Sequence, residues 1–81
     1  MELYEFTSLT EKMQIETART GIFLAERADA VNHISLYNLG TFYVEIYHSV
    51  GLNKVAMVRA FKTTNTLAPY LEQFKDIKGL L

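Results

Sequence analysis

Leu36-Tyr37-Asn38-Leu39-Gly40-Thr41-Phe42-Tyr43-Val44-Glu45-Ile46 is the stretch on which the fold turns. Its second half is dense in Thr, Phe, Tyr, Val and Ile, the residues that suit a pleated strand. A helix drawn through it would be apolar on both faces. Gly40 stands between two strand-like runs, so the stretch reads as a hairpin.

Side-chain parity fixes its register. A two-residue Leu39-Gly40 turn sets Leu36 opposite Tyr43 and Ile34 opposite Glu45, which sends the apolar residues to different faces. A three-residue Asn38-Leu39-Gly40 loop sets Leu36 opposite Phe42 and Ile34 opposite Val44, with Gly40 in the left-handed position of a bulge. The second register is the one predicted, because it gathers Ile34, Leu36, Phe42, Val44 and Ile46 on one face.

Outward from the hairpin, strands are predicted over 22–27, 31–38, 41–48 and 54–61. A loop centred on Gly51 sets Ile46 opposite Ala56 and Val44 opposite Val58. Ile22 and Leu24 complete the same face, although Phe23 and Ala25 are as apolar. Ser8 and Glu11 fit a capping box that opens a helix over 9–20, with Gly21 closing it. A second helix starts near Thr66, with Pro69 in its first turn and Leu67, Tyr70, Leu71, Phe74 and Ile77 at helical spacing. The expected fold is α+β: a four-stranded antiparallel meander flanked by an N-terminal and a C-terminal helix, α-β-β-β-β-α.

The chain has 81 residues, 49% hydrophobic and 21% charged, which suits a single globular domain over 1–81. Without cysteine it has no disulfide, no thiolate zinc site and no Cys nucleophile. A secreted domain of this size usually carries disulfides, so the cytoplasm is the expected setting. Met1 to Phe6 lacks the basic region and apolar core of a signal peptide, and no apolar run reaches the length of a membrane span. The net charge is −1 and the basic residues are scattered, so nucleic acid is not an expected partner. No Gly-rich phosphate loop is present, and no cofactor is implied. The polar run Lys62-Thr63-Thr64-Asn65-Thr66 before a helix start could hold an anion, but reads more simply as a loop ending in a cap.

The second face carries the functional expectation. In the predicted register it presents His33, Ser35 and Tyr37, then Tyr43, Glu45 and Tyr47, then Val55, Met57, Arg59 and Phe61. His33 falls opposite Glu45, and Tyr43 opposite Arg59. Such a face is too apolar to be bare. It is covered by another part of the chain, by a second copy, or by a ligand or a different protein. The expectation is a non-enzymatic interaction module, a homodimer touching through Tyr43, Tyr47, Met57, Arg59 and Phe61. The alternative is a small-molecule-binding protein or weak enzyme using His33 and Glu45, in which His33 is a base oriented by the carboxylate. The same two residues also read as a plain cross-strand pair. Two His and one carboxylate at this spacing do not specify a metal.

The segments Gly21-Ile22-Phe23-Leu24-Ala25, Leu36-Tyr37-Asn38-Leu39, Phe42-Tyr43-Val44-Glu45, Arg59-Ala60-Phe61-Lys62 and Leu67-Ala68-Pro69-Tyr70-Leu71 occur in this order. Together they resemble short bacterial proteins of unknown function, mostly from Bacteroidetes, each a single domain covering nearly the whole chain. The resemblance implies a bacterial, cytoplasmic protein and supplies no catalytic residue. The sequence departs from that pattern at Met57, where a polar residue is expected.

Overall fold

Two short helices precede four strands: α1 (Leu3–Thr7), α2 (Glu11–Ala18), β1 (Ile22–Ala28), β2 (Asn32–Asn38), β3 (Tyr43–Ser49) and β4 (Lys54–Phe61). These come from a computed structural model that describes residues 1–62. The expected second helix and the polar run after Lys62 lie outside the described residues. The sheet order is β1-β2-β3-β4 with every neighbour antiparallel, which is the predicted meander.

The helix expected over 9–20 is shorter, and Thr10 caps it in place of Ser8. The Thr10 hydroxyl oxygen accepts from the Met13 amide at 3.3 Å, satisfying one of the free amides at that end. Ser8 instead donates to the Tyr4 carbonyl at 2.9 Å and closes α1. Gly21 follows α2 for a reason of space. A Cβ there would sit 2.6 Å from the Asn38 carbonyl oxygen and 2.5 Å from Leu39 Cδ2. Gly40 does take the left-handed conformation foreseen for it, with φ 100°, and its amide donates to Asn38 Oδ1 at 2.7 Å. Near the other end of the hairpins the left-handed residue is Asn53, φ 51°, and not Gly51.

The β2–β3 register differs from the predicted one. Leu36 faces Glu45, Ile34 faces Tyr47 and Tyr37 faces Val44. The connection spans Leu39 to Phe42, and Phe42 leaves the strand to pack on Phe6 with ring centroids 5.4 Å apart. Leu36 therefore slides from Phe42 to Glu45, an odd number of residues, and every β2 side chain changes face. The quintet of Ile34, Leu36, Phe42, Val44 and Ile46 is thus divided between the two sides of the sheet.

One side bears the helices. Phe6, Ala18, Phe42, Val44 and Ile46 form its buried cluster, with Leu3, Leu9, Ile15, Tyr37, Val58 and Ala60 packed around them. The other side holds Ala25, Leu36 and Phe61, with Leu24 and Tyr43 beside them. Ile34 and Glu45 are also fully buried, and the pairing of Ile34 with Tyr47 and of Glu45 with Leu36 puts both on this second side. Among the described residues, helix side chains join only the first cluster.

Two irregularities adjust the pattern. An extra residue between Phe23 and Ala25 turns Leu24 toward the second cluster and leaves Ile22 exposed, so neither completes the first face as expected. Between β3 and β4, Val44 faces Ala60 and Ile46 faces Val58, two residues along from the predicted partners but on the predicted side. A shift beside His48 then brings Val55 to the helix-bearing side instead of the second face.

Candidate functional site

The structure brings Tyr43, Tyr47, Met57, Arg59 and Phe61 to one side, because β3 and β4 keep the predicted parity. Their neighbours and exposure differ from expectation. Arg59 stands opposite Glu45 and Tyr43 opposite Phe61, with their rings stacked at 5.7 Å. Tyr47 and Phe61 are buried at 9% and 7% exposure, so only Met57 and Arg59 present a substantial surface.

Glu45 is the hub of this side. One rung of the sheet runs Ala25, Leu36, Glu45, Arg59 and the next runs Arg27, Ile34, Tyr47, Met57. Arginines from the two edge strands thereby flank a carboxylate on a central strand. Glu45 Oε2 lies 3.3 Å from Arg27 Nη2, and Oε1 lies 3.6 Å from Arg59 Nη1. The Tyr47 hydroxyl donates to Oε1 at 3.3 Å while accepting from Arg27 Nη2 at 3.3 Å. Both guanidinium groups also approach aromatic faces, Arg27 over Tyr47 at 5.9 Å and Arg59 over Phe61 at 5.8 Å. A fully buried carboxylate is stable only when paired in this way. Its oxygens are met by two guanidinium groups and a phenol, an arrangement that ties three strands together.

His33 does not meet Glu45. It pairs with His48 across β2 and β3 and lies on the helix-bearing side, with the sheet between it and the carboxylate. The expected base and its orienting group are thus separated, and the His33–Glu45 pair is not formed. The two histidines instead border an open basin of about 390 Å³. Arg19, at the end of α2, lines it as well. Ser35, Tyr37, Ile46, Val50 and Asn53 complete its lining. His48 Nε2 is 3.4 Å from Asn53 Oδ1.

The sequence contained one signal for this basin. His33 and Tyr37 have the same parity, as do Val44 and His48, so any odd shift of register puts both histidines beside the helix-facing residues.

No family model, curated protein or solved structure matches this chain. Its function must be sought in its own side chains. Among the described residues, no helix is long and apolar enough to cross a membrane, and no three His, Asp or Glu side chains are grouped to hold a metal.

Proposed function

We propose that the protein acts by associating with another protein chain, as a homodimer, and not by catalysis. The observation that carries this reading is the start of β1. Ile22 and Phe23 are 66% and 53% exposed there, on an edge strand whose outer side pairs with nothing among the described residues. The start of such an edge strand can receive another strand, and the exposed apolar side chains add area to the contact. Two β1 strands meeting about a twofold axis would extend one sheet into the next, and twofold dimers are the commonest assemblies. Met57 and Arg59, left accessible on β4, offer a second and more polar surface. A cysteine-free chain suits a reducing compartment, and a bacterial cytoplasmic setting is part of the proposal.

Sedimentation at low micromolar concentration tests this. The native chain is expected to run as a dimer. Phe23→Lys should give a monomer with unchanged circular dichroism, and Met57→Glu should remain dimeric. A monomeric native chain would overturn the proposal. Dissociation by Met57→Glu alone would move the contact to β4.

A further inference from the structure

We infer that the basin between the end of α2 and the β2–β3 hairpin binds a small organic anion with an aromatic or aliphatic portion. Four separate parts of the chain converge there: Arg19 from α2, His33 from β2, His48 from β3, and Asn53 from the loop before β4. The volume of about 390 Å³ falls in the range of small-molecule sites, which are largely apolar with a few converging polar groups.

Most of the polar groups are donors, and the acceptor oxygen of Asn53 lies 3.4 Å from His48 Nε2. A guanidinium donates only, imidazole donates from one nitrogen or both, and the Ser35 hydroxyl donates as well as accepts. No carboxylate is among the described residues lining the basin. Glu26 shares this side of the sheet, opposite Ser35, but does not line the cavity. A cluster rich in donors with one fixed positive charge suits a carboxylate or phosphate.

The apolar requirement comes from Tyr37 and the exposed side chain of Val50, which line the basin beside the buried Ile46 and suit an attached hydrocarbon or ring. Arg19 by itself has a plain explanation, since a cation near a helix C-terminus complements the helix dipole. That explanation does not account for two histidines and a serine lining the same space. A metal ion is the poorer occupant, because Arg19 repels a cation and two imidazoles are an incomplete ligand set. The inference is independent of association through β1.

Phenyl phosphate is a suitable probe, followed through the imidazole proton signals of both histidines by NMR at constant pH and ionic strength. The expected result is saturable shifts at both rings. Arg19→Gln should weaken binding about tenfold, the scale of one lost charge-assisted contact. Arg19 and His33 are exposed, so Arg19→Gln and His33→Gln are expected to fold and to report on binding. Inorganic phosphate should bind more weakly, and benzyl alcohol should leave the signals in place. Failure of phenyl phosphate to saturate, or saturation that Arg19→Gln leaves unchanged, would overturn the site. Inorganic phosphate binding as tightly as phenyl phosphate would overturn the organic portion of the ligand.

Discussion

Each side of this sheet has a buried centre, yet the two are built on different physics. The helix-bearing side is held by shape. Phe6 and Phe42 meet at a tilted 60° angle, with Val44, Ile46 and Ala18 closed around them. The opposite side encloses a charge, with the carboxylate of Glu45 at 0% exposure among Ile34, Leu36 and two arginines. Packing tolerates modest change in volume, since neighbours can shift to fill space. A buried ion cluster does not tolerate the loss of one member, because the remaining charge is left in a medium that cannot solvate it.

The sharpest way to break the comparison is at Glu45. Glu45→Gln keeps the shape and one acceptor oxygen but leaves Arg27 and Arg59 facing a neutral group. The expected cost is about 3 kcal/mol, at the lower end for breaking a buried pair because Arg59 is half exposed. Urea unfolding followed by circular dichroism measures it. The same substitution in an Arg27→Met background should cost clearly less, since one of the stranded charges is gone. Equal costs in the two backgrounds would mean that Arg27 and Glu45 are not energetically coupled. The two sides would then differ in composition alone.

A smaller effect belongs to the helix-bearing side. Gly21→Ala places a methyl group against the Asn38 carbonyl oxygen and Leu39, where α2 comes down on the β2–β3 connection. The backbone oxygen cannot rotate away as a side chain can, so α2 or the connection must move. The expected loss is about 2 kcal/mol, within the usual range for overpacking. Hydrogen exchange should show lost protection in α2 while the β2–β3 ladder keeps its own. A neutral or stabilising result would show that α2 rides loosely on the sheet.

The same contrast explains how much of the molecule was legible in its sequence. The meander was legible because β-branched and aromatic runs and the turn residues around Gly40 are local signals. The facing of β4 on β3 was legible because Arg59 and Val58 mark opposite sides. The β2–β3 register was not, because Val44, Glu45, Ile46 and Tyr47 are all buried and leave no polar side to point outward. Glu45 looked like such a marker. Its charge is instead neutralised by arginines on two other strands, one of them 18 residues away in the chain. Phe42 misled in the same way, since its apolar ring serves the helix-bearing core from the connection and not from the strand. With the register moved by an odd step, His33 crossed to His48, and the basin became visible only then.

The smallest effect isolates an exposed carboxylate as the counterpart of the buried one. In the turn from β1 to β2, Asp29 Oδ1 accepts from the amides of Val31 at 2.9 Å and Asn32 at 2.8 Å. The Val31 amide, then that of Asn32, holds the Asp29 carboxyl below its ordinary value of 3.8. A group with a lowered folded-state value binds its proton more readily in the unfolded chain. Its contribution is therefore complete at pH above 3.8 and fades as pH falls through 3.8 toward the lowered value. Asp29→Asn retains the acceptor oxygen for both amides and removes the charge. It should change the urea midpoint little at neutral pH and flatten the decline of stability in that acid window. Asp29→Ala removes the acceptor and should lower the midpoint at every pH. If Asp29→Asn instead matched Asp29→Ala at neutral pH, the charge and not the turn geometry would be what this carboxylate supplies, and the surface and interior carboxylates would work alike.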